Sequence, residues 1–307
     1  MLMLPDRALR KLREARHARQ ARAVLETAPA MPRDDGVILF SMIGTKVLLP
    51  YMVAAKSLHA RLGRGRFAIL DDGTLTPSDR SVLAAHLGNP EIRHIAEVDT
   101  GPCPRGCCWE RLLTLLDLRR EAYVIQLDSD TVTIGEVPEV AAAVRTGTSF
   151  TLRGGDDAEL LPLAQAVEQA RVAQPSGHVQ AAIELALDRI AIPARDAPRY
   201  VRGCAGFAGF AQSGEGRALA ELFSQEAQRL LGTARWAEWD SEQVASNFVV
   251  ANEPRTTLLP YRRYFNFWNT GVPGDARFVH FVGTYRYHGG VYDAATAAAL
   301  DFIDRRA

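Results

Sequence analysis

The sequence of 307 residues has three lysines, four cysteines and no net charge. Basic and acidic residues number 36 each, so no overall attraction to nucleic acid or to an acidic surface is expected. No apolar run is long enough to span a membrane, and the opening apolar stretch ends at Pro5, too early for a signal peptide. Three of the cysteines are bunched in CPRGCC, which favours free thiols over a disulfide framework. These absences predict a cytoplasmic protein that has no nucleic-acid partner.

The residues that are abundant predict an α/β protein with a large core, since 47% of the chain is hydrophobic and 23% is charged. Apolar runs such as VILFSMI, RFAIL and YVIQL alternate with helical patterns. This alternation predicts a mainly parallel mixed sheet covered by helices on both faces, with ligands at the carboxyl ends of its strands. Two further helical patterns, at residues 158–170 and 179–190 with a loop at residues 171–178 between them, indicate a helical insertion beside the sheet.

Residues 1–35 form a basic N-terminal segment, with a helix predicted over residues 5–28. Between residues 6 and 22, seven basic side chains stand against two acidic ones. The segment has a thin apolar face, which favours a solvated helix packed loosely on the domain. The alternative is a weak peripheral contact with anionic lipids on the inner membrane face.

The stretch YVIQLDSDTV places two acids directly after a buried strand. In an extended backbone, Asp128 and Asp130 point to the same side. Carboxylates at the ligand-binding edge of such a sheet suit Mg²⁺ or Mn²⁺, ions that keep open positions for phosphate oxygens. An acid pair that caps the following turn is an equally good interpretation of this spacing alone.

Several segments in a fixed order resemble motifs of the GT-A-fold glycosyltransferases. The closest likeness is to the retaining type that includes bacterial lipopolysaccharide galactosyltransferases and glycogenin. The resemblance spans about residues 36–290. It is carried by VAAKSL (53–58), AILDDGTLTPSDRSVL (68–83), WERL (109–112), LDSD (127–130), CAGFAGF (204–210), EQVASN (242–247) and HFVGTYRYH (280–288).

The resemblance implies a Rossmann-like GT-A fold, with a nucleotide-sugar-binding half at residues 36–150 and an acceptor-binding half at residues 151–307. It further implies that Asp128, Asp130 and His280 bind Mn²⁺ or Mg²⁺. The residues implied to contact the nucleotide sugar are Ser41, Met42, Lys46, Arg111, Asp128, Ser129, Asp130, Cys204, Gly283 and Arg286.

Each assignment has a structural alternative. A lone histidine such as His280 is often a satisfied core or loop residue. Arg286 stands where the family has its diphosphate-binding lysine, and it is otherwise a solvated arginine. Arg111 is otherwise paired with Glu110 or Asp117 on its own helix.

The resemblance also implies that Glu242 and Gln243 face the transferred sugar and, with Arg111, form the catalytic group. For Asp240 and Ser241 we favour helix capping. If the transfer inverts configuration, Asp240 or Glu242 is the first candidate for the general base. Four aromatic side chains are candidates for an acceptor platform, with core packing expected for at least half of them: Trp236, Trp239, Phe265 and Trp268.

The chain departs from the family pattern at three places. Gly44, Thr45 and Lys46 replace the acidic stretch that holds the nucleotide base, Cys204 replaces an asparagine before Ala-Gly, and Tyr287 and His288 replace Pro-Trp. A UDP sugar is favoured as the donor, but the base, the sugar and the acceptor cannot be carried over from the family.

The predicted function is therefore a metal-dependent hexosyltransferase that acts on a glycan or another hydroxyl acceptor. One alternative is a protein that binds nucleotide sugars without turnover. Another is a phosphohydrolase in which Asp128 is the nucleophile and Asp130 the acid/base. That class requires a downstream lysine, whereas the last lysine of this chain is Lys56. Zinc binding by the cysteine cluster is disfavoured by its spacing, and we predict that its thiols react freely with maleimide.

Overall fold

The computed structural model describes residues 6–173, 177–192 and 197–305. The first five residues of the predicted basic segment and residues 174–176 of the predicted loop in the insertion lie outside the described residues. The strands are β1 (Val37–Ile43), β2 (Arg66–Asp71), β3 (Glu91–His94), β4 (Tyr123–Leu127), β5 (Thr131–Thr133), β6 (Ser149–Arg153), β7 (Leu161–Pro162), β8 (Arg199–Tyr200), β9 (Gly203–Phe210), β10 (Thr256–Leu258), β11 (Tyr264–Phe267) and β12 (Phe278–Phe281).

The helices account for about half of the remaining described chain. They are α1 (Asp6–Ala21), α2 (Leu48–Leu62), α3 (Pro77–Leu87), α4 (Trp109–Leu118), α5 (Pro138–Thr146), α6 (Leu163–Val172), α7 (Val179–Glu184), α8 (Ala218–Leu231), α9 (Thr233–Trp236), α10 (Ser241–Ala251) and α11 (Val291–Asp304). None of the described helices combines the length and the apolar character needed to cross a membrane.

The central sheet has seven strands in the order β10-β6-β9-β4-β1-β2-β3 and is flanked by helices, as the alternating pattern predicted. Strands β1 and β2 are parallel, and so are β6 and β10, whereas β9 runs antiparallel to β6. The sheet is therefore mixed. Strands β11, β12 and β5 form a separate three-stranded sheet, and β7 pairs with β8.

The chain divides into two compact units. The first comprises the described parts of Met1–Arg93, Leu127–Ala141 and Pro260–Ala307, and the second comprises His94–Gln126 and the described parts of Ala142–Leu259. The predicted division at residue 150 concerns which ligand each half binds, and it stays a prediction.

In the first unit, local sequence signals explain where helices begin and end. Helix α3 starts with a capping box, in which Thr76 and Asp79 satisfy each other's backbone N–H groups, and Pro77 occupies its first turn. These signals bring the chain back toward β3 after the carboxyl end of β2.

In the second unit, one predicted helix is shorter than expected and one observed helix was not predicted. The second helix of the insertion ends at Glu184, well before the predicted end at residue 190, and a 3₁₀ turn follows it at Leu187–Arg189. Helix α8 has no counterpart among the predicted elements, and the same holds for α11 in the first unit.

Candidate functional site

In the first unit, the chain leaves the buried strand β4 and enters a turn that carries both acids of the Asp-Ser-Asp stretch. Thr131 Oγ1 donates a hydrogen bond to the Asp128 carbonyl at 2.8 Å, and the Phe281 N–H donates to the Asp130 carbonyl at 2.8 Å. The prediction that this segment is extended is therefore wrong, because these bonds stabilise a turn. The two carboxylates nevertheless converge.

His280 reaches this turn from β12, so it lies within a strand rather than after one. Strand β12 pairs with both β11 and β5, which places His280 opposite Asn266 on one side and Thr131 on the other. His280 Nδ1 lies 3.0 Å from Asn266 Oδ1. An amide oxygen can only accept, so Nδ1 carries a proton, and Nε2 is the nitrogen that a cation would bind in place of a proton.

The two carboxylates and this imidazole form a ligand set for a cation. His280 Nε2 lies 3.4 Å from Asp130 Oδ1, and one ligand atom from each of Asp128, Asp130 and His280 lies within 4.8 Å of the others. This is the one such group among the described residues. Two hard oxygen donors and one neutral imidazole, with open positions left over, fit Mn²⁺ or Mg²⁺.

Arg286 completes the cluster. Gly283, in the left-handed region at φ 52°, turns the chain after β12, and Arg286 Nη2 then lies 2.5 Å from Asp130 Oδ2. Burial alone would raise the pKa of Asp130, but His280 in its protonated form, through its charge and hydrogen bond, and the charge of Arg286 together hold it below its ordinary value. Asp130 is therefore ionised at neutral pH, as a metal ligand must be. Arg286 is an ion-pair partner rather than a freely solvated arginine.

Side chains of α1 and α11 support the Asp-Ser-Asp turn, and the sequence did not reveal these contacts. The Tyr292 hydroxyl donates to the Ser129 carbonyl at 3.3 Å. The ring of His17 stacks on Tyr292 with the ring centres 3.7 Å apart, and its Nδ1 lies 3.1 Å from the Asp293 carboxylate. The buried side of the basic helix α1 therefore packs against the residues that hold the Asp-Ser-Asp turn. A histidine among arginines was the only signal for this contact.

Asn266 was likewise missed, because we interpreted its segment only as an aromatic one. It is fully buried in β11 between two buried phenylalanines. A single amide inside an apolar strand requires a hydrogen-bond partner, and that signal could have been used.

The segment after β1 is built differently from the family pattern. The Ser41 hydroxyl donates to the Leu127 carbonyl at 2.7 Å, so this hydroxyl already stabilises the strand. A side chain at Gly44 would meet the Asp72 carboxylate and the Thr74 hydroxyl, so these groups would have to move to admit one. Lys46 is exposed and Met42 half-buried, and their predicted contacts with the nucleotide stay untested.

In the second unit, Arg111 of α4 donates to Glu242 of α10, with Nη2 and Oε2 2.9 Å apart and both side chains buried. The predicted alternative, a pair with Glu110 or Asp117, is not what forms. Glu110 accepts from the Gly106 N–H, and Asp117 pairs with Arg217. Two residues of the predicted catalytic group thus contact each other.

The prediction that Asp240 and Ser241 cap helix α10 through their side chains is wrong. Asp240 precedes α10 in the left-handed region at φ 78°, and its side chain makes no capping bond. The Ser241 hydroxyl instead accepts from Trp109 Nε1 at 2.9 Å. Burial raises the pKa of Asp240, partly offset by His178.

The third predicted catalytic residue, Gln243, is held on two sides. Its Oε1 accepts from the Ala205 N–H at 3.2 Å, and its Nε2 lies 3.5 Å from Gln180 Oε1. Ala205 follows Cys204 in β9, so the backbone of the predicted sugar-binding strand orients this amide.

Among the aromatic candidates, Trp236 and Phe265 belong to the core, whereas Trp239 is 65% and Trp268 45% exposed. Core packing therefore accounts for half of them, as expected. Cys103 is buried, and burial raises the pKa of its thiol to about 11, so the prediction of free maleimide reactivity applies only to the half-buried Cys107 and Cys108.

This chain resembles known proteins in structure but not in sequence. No protein-family model and no curated protein matches the sequence. Among solved structures, the glycosyltransferase GlyE of Streptococcus pneumoniae TIGR4 matches with a TM-score of 0.50 and 11% identity, over 89% of this chain and 63% of GlyE. The galactosyltransferase LgtC, solved with donor and acceptor sugar analogues, matches with a TM-score of 0.48 and 13% identity over 86% of this chain and 95% of LgtC.

The bifunctional glycosyltransferase WbbM matches with a TM-score of 0.48 and 14% identity over 83% of this chain, which spans 47% of WbbM. The chain has the GT-A glycosyltransferase fold, as its ordered motifs predicted. At this level of identity the likeness concerns the fold.

Proposed function

We propose that this protein is a metal-dependent glycosyltransferase that moves a sugar from a nucleoside diphosphate sugar to a hydroxyl acceptor. The observation that carries this proposal is the convergence of Asp128, Asp130 and His280 at the carboxyl end of β4. These three residues would hold Mn²⁺ or Mg²⁺, and the bound ion would neutralise charge on the diphosphate leaving group.

The protein groups around this position suit the same chemistry. Asn266 fixes His280 in the tautomer that ligates through Nε2. Arg286 is in place to offer a guanidinium to phosphate oxygens, and such groups stabilise charge where it develops in the transition state. In the second unit we infer, from the resemblance alone, that Arg111, Glu242 and Gln243 contact the donor sugar.

Several finer features are also part of the proposal. A UDP-hexose is the favoured donor and retention the favoured outcome. For an inverting reaction, Asp240 is the better candidate base, because burial makes its carboxylate more basic whereas Glu242 contacts Arg111. A cytoplasmic location, with weak peripheral membrane contact through α1, completes the proposal.

The aspartyl-phosphate hydrolase is a weaker candidate. In that mechanism Asp130 must donate a proton, yet its pKa is held below the ordinary value. The chain also has no lysine after Lys56.

The direct test incubates the protein with a panel of nucleotide sugars and Mn²⁺ and measures the release of nucleoside diphosphate. We expect activity that a chelator removes and that Asp128→Asn lowers by at least about 100-fold. A matched control is Asp275→Asn, which removes an exposed carboxylate paired with Arg262 and should leave the rate unchanged.

Two results would contradict the proposal. Release of inorganic phosphate from phosphomonoesters would favour the hydrolase. Saturable binding of nucleotide sugars without any turnover would favour a binding protein.

A further inference from the structure

The helical insertion of the second unit contains a cavity that the proposed chemistry does not use. Its volume is about 500 Å³, within the range of small-molecule binding pockets. Helix α6 forms one wall, and the end of α7 and the residues around β8 contribute to the lining. A space of this size can hold one or two sugar rings.

The cavity combines small apolar side chains with an excess of carboxylates. Alanines and a leucine supply apolar contacts, for example Ala166 and Ala170 of α6, both largely buried. Four lining residues are acidic, and Arg202 is the single basic one among the described lining residues. The acidic residues are Asp157, Glu159, Glu168 and Glu184.

Glu184 is the buried polar group of this cavity and is 3% exposed. Its Oε1 accepts from Gln180 Nε2 at 2.8 Å and from the Tyr200 hydroxyl at 3.0 Å, and its Oε2 lies 3.4 Å from Arg202 Nη1. A carboxylate this deep requires such donors. Arg202 is about half exposed, so a ligand that enters the cavity would meet the pair that it forms with Glu184.

A chain of side-chain amides leads from this carboxylate to Gln243. Gln180 donates to Glu184 through Nε2, and its Oε1 lies 3.5 Å from Gln243 Nε2. Gln243 in turn accepts from the backbone of β9. A change at Glu184 can therefore reorient the amide of Gln243 through one intermediate residue.

We propose that this cavity binds a neutral or amine-bearing sugar ring of the acceptor, and that Gln180 is the positioning residue that couples its occupancy to Gln243. Carboxylates accept hydrogen bonds from hydroxyl and ammonium groups, and the apolar wall suits the C–H face of a sugar. The same excess of carboxylates disfavours phosphorylated and uronic acid rings. The acceptor role rests on the proposed function, but binding in the cavity does not.

The first test measures binding calorimetrically without metal or nucleotide, using glucose, glucosamine and glucuronic acid at a pH at which the amine is protonated. These probes share a ring and differ in one group. We expect saturable binding of glucose and glucosamine, with glucuronic acid at least about tenfold weaker. Equal binding of glucuronic acid, or no saturable binding of any probe, would overturn the proposal.

Location is tested by filling the cavity. Ala170→Leu places a larger side chain on its wall and should weaken glucosamine binding by at least about tenfold. Ala164→Leu makes the same change at an exposed position of α6 outside the lining and should have no effect. Unchanged binding to a folded Ala170→Leu variant places the ligand elsewhere and refutes the site. If that variant does not fold, Val172→Trp at the exposed rim serves the same purpose.

Coupling is tested by NMR of the side-chain amides, with the Gln243 signal assigned from Gln243→Glu. Saturating glucosamine should shift the Gln180 and Gln243 signals in the wild-type protein, whereas in Gln180→Met the Gln243 signal should no longer respond. Gln165→Met, at an exposed position of α6 outside the cavity lining, is the matched control. A Gln243 shift that persists in Gln180→Met would refute the coupling. Because none of these measurements needs turnover, they remain decisive if the proposed glycosyltransferase activity is not found.

Discussion

Two buried clusters of charge, one in each compact unit, use the same kinds of residue in different ways. In the second unit, Arg119 and Glu253 form a bidentate pair with distances of 2.8 and 2.6 Å, and the Ser149 hydroxyl adds a third bond to Glu253. Both charged side chains are at most 4% exposed. This cluster is closed, since the described protein groups themselves balance both charges.

The first unit handles its charges differently. Asp128, Asp130 and His280 direct ligand atoms toward one another, and Asp128 is only half-buried. Two carboxylates placed together repel each other, and a bound cation would relieve that repulsion. The comparison teaches that convergence of acceptors, rather than burial of charge, distinguishes a ligand site from a structural ion pair.

The largest expected effect comes from Asp130→Asn. This change keeps the shape of the side chain but removes a charged metal ligand, so nucleotide-sugar hydrolysis should fall by about 100- to 1000-fold. The free energy of unfolding without metal should fall modestly, because the lost ion pair with Arg286 is only partly offset by the relieved repulsion with Asp128. Steady-state rates and urea unfolding measure the two quantities. A variant that keeps full activity would make the cluster a structural one, like that of the second unit.

The opposite pattern is expected for Glu253→Gln. Neutralising one partner leaves the Arg119 guanidinium buried without its counter-charge, which costs about 3–5 kcal/mol in the free energy of unfolding. The activity of the molecules that remain folded should be retained. Urea unfolding measures the loss, and Glu238→Gln, which breaks an exposed pair with Arg235, should cost less than about 1 kcal/mol. Equal losses of unfolding free energy in the two variants would show that the buried pair stabilises the protein no more than the exposed pair does.

A smaller effect is expected at Asn266, which acts on the metal only through His280. Asn266→Leu removes the acceptor for His280 Nδ1 and should weaken Mn²⁺ binding by about 10- to 100-fold. Asn266→Asp keeps an acceptor at that place and should retain tight binding. Titration followed by electron paramagnetic resonance gives the affinities. If both variants bind Mn²⁺ like the wild type, the orientation of His280 does not depend on this residue.

The smallest effect concerns acid sensitivity of the first unit. Burial lowers the pKa of His17, with partial opposition from Asp293, and burial also lowers the pKa of His59. Below the ordinary histidine pKa of 6.5 the unfolded chain therefore binds more protons than the folded protein, so stability is lost as the pH falls toward the lowered values.

We expect His17→Phe, which can keep the ring contact with Tyr292, to remove about 1 kcal/mol of the stability change between pH 7 and 5. Melting temperatures of the variant and the wild type across this range measure the difference. An unchanged pH dependence in the variant would mean that His17 does not contribute.

Much of the fold and part of the site could be predicted from the sequence. Most strands of the central sheet follow from local periodicity, and Asp128 and Asp130 stand out because two acids interrupt an apolar strand. The partners of these acids could not be derived in the same way. His280 was proposed from a resemblance, and Asn266 and Tyr292 were missed, because their roles depend on strand register and helix packing.

In the second unit, too, functional residues could be proposed from the sequence but their partners could not. The sequence indicated that Arg111, Glu242 and Gln243 belong to polar positions on helices, but the partner expected for Arg111 was on its own helix. The observed partner is 131 residues away. Spacing along a helix is a local property, whereas a contact between two helices depends on how both pack.

Local sequence was enough to predict most strands of the central sheet, the acid pair at the end of a buried strand and the basic character of the first helix. Each of these is set by neighbouring residues, through backbone geometry and the periodic burial of apolar side chains. Long-range packing sets which imidazole meets the two carboxylates, which amide orients it and where the insertion forms a cavity. Those features require groups distant in the chain to approach within hydrogen-bond distance, and sheet register and side-chain packing determine that approach.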